Sequence, residues 1–537
     1  MPSKIKHIIL AVLDGWGVAS PSLGNAISEA NTPNLDFIET HYPSLLLQAS
    51  GKTVGLPWGN EGNSEVGHLA LGSGRIVFHY LPRIVNAIQD GSFFKNKTLK
   101  SVSEHVKNNK SSLHLVGLVS SGSVHSYIDH LYGLLEFAKR ENISPVYLHV
   151  FTDGKDSPSR EAAKFLQDIQ YRLETQQLGK ISTLIGRVYS MDRSGDWSST
   201  QKTYNLLTKG EGQLISDIYA HINNSYYSGI NDTYMEPAIV APDGKIDPKQ
   251  LISENDAVVF FNFREDSARQ LARAFLDPDF SEFPRDKISN VLFTTMVQYE
   301  SYIPLSKVLF QPPNIKNTLA EVLSREDKTQ LHIAETEKYA HVTYFFNGLV
   351  EERAPGEERI LIPSTGAPHY EKLPDMGAIK ITDTAIENLQ KFDFILINYA
   401  NADMLGHIGN FNSVTAGIEV IDESIGKLMK AQRDDTVIII TADHGNAEEM
   451  IDPINGARRT EHSSNPIPVY IVDKNIEHRK LNTLPLYMQD VKGLLSDIAP
   501  TILDIMDLPI PSEMTGQSLL PLLFAQLPEN KVISYKL

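Results

Sequence analysis

The stretch "TVIIITADHG" (436–445) runs through consecutive β-branched residues and then stops at Asp443 and His444. An apolar run with no polar alternation suits a strand buried on both faces, as in the interior of a parallel sheet. Ligands of such sheets bind beyond the carboxyl ends of the strands, so Asp443 and His444 stand where chemistry is expected. The same signature recurs in "HIILAVLDG" (7–15), "LHLVGLVSSG" (113–122), "VYLHVFTDG" (146–154), "STLIGRVYSMDR" (182–193), "AVVFFNFRED" (257–266) and "FDFILINYAN" (392–401). Helix-like segments such as "SVTAGIEVIDESIGKLMKAQ" (413–432) lie between them. This alternation predicts an α/β fold with mostly parallel sheets.

The polar ends of the runs differ by region. Near the amino terminus and beyond about residue 400 they carry Asp and His; in the middle they carry Arg, Lys and Asp. The contrast predicts a second domain inserted into the first, with 1–76 and 311–537 forming one unit and 77–310 the other. The first crossing is expected after "LGSGRIV" (71–77). The return is expected at "FQPPNIKN" (310–317), whose paired prolines continue neither helix nor strand. "GLVEERAPGEERILIPS" (348–364) reads as an exposed charged loop.

Length and composition set the bounds. A chain of 537 residues holds two or more domains, and 41% apolar with 21% charged residues is ordinary for a globular protein. The net charge of -17 repels polyphosphate, which argues against nucleic acid and anionic membranes as partners. With no cysteine, thiolate metal sites and cysteine nucleophiles are excluded. The opening "MPSKIKHIILAVLDGWG" is too short for a span and lacks a small-residue cleavage site, so a cytoplasmic location is expected.

Two constellations follow. In "NADMLGH" (401–407), Asp403 and His407 are four apart and share a face on a helical turn. Asp14 ends the first strand, Asp443 and His444 end another, and His462 in "RTEHSSNPIPVYIV" precedes a further strand. Singly, each reads as a turn, cap or surface residue. Jointly they supply three Asp and three His, a donor set for two divalent cations, of which Mn²⁺ fits best and Zn²⁺, Co²⁺, Fe²⁺ and Mg²⁺ share the ligand types. Ser64, in "GNEGNSEVGH" (59–68), is the hydroxyl that such a pair could activate for displacement at phosphorus.

The middle region brings His125, Lys155, Asp156, Arg187, Arg193 and Arg264 to strand ends, and "AETEKYAHVTYFFNG" (334–348) adds Lys338. Arginine forks suit phosphate and carboxylate. The plainer reading is surface ion pairs for the arginines and a solvated helix start for Lys338.

"DGWG", "GNSEVGHLALGSGR", "AETEKYAHVTYFFNG", "NYANADMLGHIGN", "TADHGNAEEM" and "RTEHSSNPIPV" together resemble the 2,3-bisphosphoglycerate-independent phosphoglycerate mutase family, in order along nearly the whole chain. The resemblance implies an alkaline-phosphatase-like metal domain with an inserted phosphotransferase domain. It implies a cytoplasmic, monomeric glycolytic isomerase that interconverts 3- and 2-phosphoglycerate, with two Mn²⁺ per chain and no bisphosphoglycerate cofactor. By the same resemblance Ser64 is transiently phosphorylated. Asp14, Ser64, Asp443 and His444 match the ligands of one Mn²⁺, and Asp403, His407 and His462 those of the other. His125, Asp156, Arg187, Arg193, Arg264 and Lys338 match positions that contact the phosphoglycerate or assist proton transfer. The resemblance further implies a cleft that closes to exclude water.

The chain departs from the family at Lys155 and Ser267, both in the substrate-binding set, where arginines are usual, and at Tyr127, where His is common. The segment "PSTGAPHYEKLPDMGA" (363–378) also differs. Arg to Lys loses the bidentate fork and Arg to Ser loses a charge, so a clamp that is weaker, differently arranged, or supplemented by Arg269 or Arg160 is expected. The alternative reading is a metal-dependent phosphomonoesterase of the same superfamily. A non-catalytic binding protein is the third, disfavoured by the complete ligand set with Ser64.

Overall fold

The computed structural model describes residues 5–304, 307–366, 369–452, 455–476 and 484–527. Ala367 and Pro368, inside the divergent 363–378 segment, lie outside them. The chain separates into two compact units, Met1–Phe78 with Pro313–Leu537, and His79–Pro312.

Strands β1 (His7–Leu13) and β2 (Ser44–Gln48) belong to the first unit. The second unit contributes β3 (Leu113–Val119), β4 (Val146–Thr152), β5 (Gly179–Gly186), β6 (Gln213–Ile215), β7 (Ala238–Val240), β8 (Ala257–Phe260), β9 (Leu292–Val297) and β10 (Val308–Phe310). The chain then returns with β11 (Gln330–Glu335), β12 (Glu357–Ile362), β13 (Phe394–Tyr399), β14 (Thr436–Thr441), β15 (Ile467–Asp473) and β16 (Val491–Leu494). Each of the expected apolar runs forms a strand, and the helix expected at 413–432 spans Phe411–Ala431.

The first sheet has the order β12-β11-β13-β1-β14-β15-β2-β16. β1 is parallel to β13 and β14, and only β15 runs against the rest. That single reversal matters for position. The start of an antiparallel strand lies at the same sheet edge as the ends of its parallel neighbours. The second sheet has the order β10-β9-β8-β3-β4-β5-β7-β6. The chain builds β3, β4 and β5 outward in one direction and β8, β9 and β10 in the other. The reversal lies between β3 and β8, the kind of switch point where open α/β sheets bind ligands.

One expectation is corrected. Residues 357–362, read as exposed loop, form β12, paired in parallel with β11 along its whole length. Its Glu357 and Ile362 are buried and Leu361 is exposed. An edge strand tolerates charge because one side of its ladder faces solvent, and that charge hid it from a pattern search. The segment at 334–348 also differs from a solvated helix start. Thr336–Lys338 is a tight turn, His341–Phe345 a wide π-type turn, and Lys338 is buried.

Helix Ser64–Ser73 lies so close to that wide turn that a Cβ on Gly72 would stand 1.9 Å from the Phe346 carbonyl oxygen. Gly72→Ala is therefore expected to cost about 1–3 kcal/mol through overpacking. Chemical denaturation of the metal-free chain reads this; an unchanged transition midpoint would show that the two backbones can part freely.

Candidate functional site

Every metal-side residue reaches one edge of the first sheet. Asp14 follows β1, Lys338 follows β11, Asp403 follows β13, and Asp443 and His444 follow β14. His462 precedes the reversed β15, so it arrives at the same edge. Ser64 is the first residue of helix Ser64–Ser73, capped by the Asn63 side chain, which accepts from Val66 N at 3.1 Å. Its hydroxyl therefore sits at the positive end of a helix dipole. Gly15 allows the approach: at φ +77°, its absent Cβ would lie 2.7 Å from Asp403 Cα.

Ser64 Oγ donates to Asp14 Oδ1 at 3.1 Å, lies 3.0 Å from His444 Nε2, and accepts from Lys338 Nζ at 2.8 Å. Lys338 also donates to Asp14 Oδ1 and Asp403 Oδ2, both at 2.6 Å. Asp14 and Asp443 are fully buried, and Asp403 and Lys338 nearly so. Burial opposes each charge, yet Lys338 draws Asp14 and Asp403 well below the ordinary carboxylate range. The three carboxylates in turn hold the Lys338 ammonium well above the ordinary lysine value. These carboxylates thus favour the ammonium form of Lys338.

Two donor groups stand ready for cations: Asp14 with Asp443 and His444, and Asp403 with His407 and His462. In all three histidines Nδ1 faces a backbone carbonyl, at 2.8 Å for His407 and His462 and 3.2 Å for His444. A carbonyl only accepts, so Nδ1 carries hydrogen and Nε2 is left for a ligand. The Nε2 atoms of His407 and His462 stand 3.0 Å apart, and each lies beside Asp403 Oδ1, at 3.3 and 3.1 Å. Lone pairs facing an anionic oxygen repel unless a cation or proton intervenes. Asp443 Oδ2 is buried without a hydrogen-bond partner among the described residues, because His68 Nδ1 beside it is spent on the Ser64 carbonyl at 2.9 Å. The nitrogen and oxygen donors fit divalent transition metals.

Positioning groups that the sequence reading missed surround these ligands. Asn398, a polar residue inside the apolar β13, donates to Asp14 Oδ2 at 2.7 Å. His68 lies four residues beyond Ser64, on the same helix face. Glu448, buried, accepts from Gly17 N at 3.0 Å, Asn446 N at 2.9 Å, Asn465 Nδ2 at 3.0 Å and the Ser463 hydroxyl. One carboxylate thereby ties together the loops that carry Asp14, His444 and His462. Its signal was the second half of "TADHGNAEEM".

In the second unit the ends of β8, β3, β4 and β5 bring the other candidates together. His125 Nδ1 lies 2.6 Å from Asp156 Oδ2, and its Nε2 lies 3.3 Å from Ser267 Oγ. Arg187 pairs with Asp153 and Asp156, at 2.5 and 2.9 Å. Arg193 and Arg264 converge on Asp266, at 2.8 and 2.9 Å. Asp153 and Asp266 were not singled out from sequence, although both stand in strand-ending motifs. Burial would raise Asp156, but His125 and Arg187 hold it below the ordinary range, so it is ionised. Lys155 donates its backbone N–H to Asp153, and its side chain is exposed. Arg269 and Arg160, the other arginines of these motifs, have partners of their own. Arg269 donates to the Tyr299 carbonyl and pairs with Glu265 and Glu300, and Arg160 lies over Tyr226.

The family model of the metalloenzyme superfamily matches residues 6–510. The 2,3-bisphosphoglycerate-independent phosphoglycerate mutase of Clostridium botulinum (strain ATCC 19397 / Type A) is 45% identical over 518 residues, 96% of this chain and 99% of its own. That of Moorella thermoacetica is 45% identical over 517 residues, 96% of this chain and 98% of its own. A Leishmania mexicana phosphoglycerate mutase, solved at low cobalt concentration, aligns with a TM-score of 0.58 and 28% identity, covering 96% of this chain and 97% of that one.

Two outcomes are expected. Burial alone would lower His444, but Asp443, Asp14 and Asp403 push it up to about 9, and its bond to Asp403 raises His407. Proton and metal compete for these nitrogens, so at neutral pH divalent cations should displace about one proton or more. Calorimetry in buffers of different ionisation enthalpy measures this, and buffer-independent heats would contradict it. Glu448→Gln turns one acceptor oxygen into a donor facing donors, and should weaken metal affinity about 10–100-fold. Competition with a chromophoric chelator reads the change; parental affinity would mean that the loops hold themselves.

Proposed function

The chain belongs to the metalloenzyme superfamily and, within it, to the 2,3-bisphosphoglycerate-independent phosphoglycerate mutases, and from that premise we propose that it interconverts 3-phosphoglycerate and 2-phosphoglycerate in glycolysis and gluconeogenesis. The phosphoryl group is carried on Ser64, and no bisphosphoglycerate is needed. The observation that carries this reading is the Ser64 hydroxyl, buried within hydrogen-bond distance of Asp14, His444 and Lys338 together.

Asp14, Ser64, Asp443 and His444 would hold one divalent cation, and Asp403, His407 and His462 a second, with Mn²⁺ the assignment. Bound there, such cations supply Lewis acidity that favours the serine alkoxide and neutralises phosphoryl charge. Ser64 Oγ, which would give up its proton to solvent when cations occupy the site, attacks the phosphorus of 3-phosphoglycerate; the Oγ–P bond forms and the bond to the 3-oxygen breaks. Lys338 faces Oγ as a fixed cation and stabilises charge on the transferring group without exchanging a proton. The helix amino terminus at Ser64 favours the resulting dianion. The hydrogen-bonded His125–Asp156 pair delivers a proton to the departing 3-oxygen and accepts one from the 2-hydroxyl, so protons balance over the cycle. Arg187, Arg193 and Arg264 are the groups assigned to the glycerate carboxylate and phosphate. The 2-oxygen then takes the phosphoryl back and frees Ser64.

A hydrolase reading has one observation in its favour. Each clamp arginine is already neutralised by Asp153, Asp156 or Asp266, and Ser267 and Lys155 replace stronger anion binders. Water intercepting the phosphoserine would then release phosphate. We also place the protein in the cytoplasm as a monomer; among the described residues no helix is long and apolar enough to cross a membrane.

Feeding 3-phosphoglycerate to the Mn²⁺-loaded chain, with 2-phosphoglycerate and inorganic phosphate measured in parallel, is expected to give mainly 2-phosphoglycerate. Ser64→Ala should lose at least about a thousandfold in rate. Phosphate as the main product would favour the hydrolase, and full activity in Ser64→Ala would remove the intermediate altogether.

A further inference from the structure

The residues that follow Asp14 also wall a separate cavity of about 220 Å³ in the first unit, lined by Trp16, Tyr470, Leu486 and Tyr487 and bearing Asp36 and Glu39. The two acids lie three apart on helix Pro33–His41, and so share a side. Each has one oxygen engaged by a neutral donor, Asp36 by the Thr32 hydroxyl at 3.2 Å and Glu39 by Leu486 N at 3.0 Å. Neither has a cationic neighbour among the described residues, and burial raises both above the ordinary carboxylate range. Tyr470 gives an independent sign. Its side chain is only 5% exposed, its hydroxyl has no hydrogen-bond partner among the described residues, and the charges of Glu39 and Asp36 reach it. Left without a protein partner, that hydroxyl is available to a ligand or an ordered water in the cavity that Tyr470 lines.

We propose that this cavity binds a small organic cation, a primary ammonium on an apolar stem. The three N–H donors of an ammonium match the free oxygens of Asp36 and Glu39 and the Tyr470 hydroxyl. The stem lies against Trp16 and Tyr487, whose ring faces attract a cation and bury its carbon. A bare metal ion would leave that aromatic wall unused. The site is distinct from the metal ligands and from the second-unit cluster.

The test is calorimetric titration of the full Mn²⁺-loaded chain with 2-phenylethylamine and with its neutral counterpart 2-phenylethanol. The amine is expected to bind saturably at one site, and the alcohol at least about tenfold more weakly, the worth of a charge-assisted bond. Asp36→Asn and Glu39→Gln should each weaken the amine about tenfold while leaving the mutase rate and melting temperature of the chain unchanged. Absence of saturable amine binding, equal binding of amine and alcohol, or parental affinity in both variants would overturn the proposal. The amine–alcohol comparison on the unmodified chain decides it even where a variant folds poorly.

Discussion

Three carboxylates buried beside one serine are the constraint on which the first unit depends. Asp14, Asp403 and Asp443 lie almost wholly out of water, yet among the described residues Lys338 is the only lysine or arginine paired with any of them. An uncompensated buried anion costs several kcal/mol, so such a cluster persists only where cations or protons can offset it. The same imbalance makes the site useful. Whatever balances the carboxylates also surrounds Ser64 Oγ with positive charge, the condition under which a hydroxyl becomes a nucleophile toward phosphorus.

The fold meets this constraint with few devices. Adjacent strands β13, β1 and β14 are each followed within four residues by one of the three acids, and β11 ends near Lys338. Reversal of β15 brings His462 in from the opposite chain direction. Glu448, Asn398 and His68 then hold the ligands in place. In the second unit the charge balance differs: arginines and carboxylates neutralise one another around His125 at the β3/β8 switch point. On the proposed function, an incoming phosphoglycerate would have to compete with Asp153, Asp156 and Asp266 for those arginines.

Much of this was legible in the sequence for a physical reason. Strands buried on both faces are written as continuous apolar runs, and parallel topology puts function at their ends, so Asp14, Asp443 and Arg187 could be found by reading where each run stops. The less visible parts obey other rules. β12 is an edge strand whose charges mimic a loop. Glu448 acts through hydrogen bonds that only the folded loops reveal. Lys338 reads as solvated because its neighbours Glu335 and Glu337 are acidic, while in the fold it is buried against Asp14, Ser64 and Asp403. The partners that Arg269 and Arg160 find nearby were equally invisible.

The most direct test of the account is a crystal structure of the Mn²⁺-soaked protein with anomalous data collected at the manganese edge. Two anomalous peaks are expected, one coordinated by Asp14, Asp443, His444 and Ser64 Oγ, the other by Asp403, His407 and His462. A single peak, or two peaks with Ser64 Oγ outside the coordination distance of both, would contradict it.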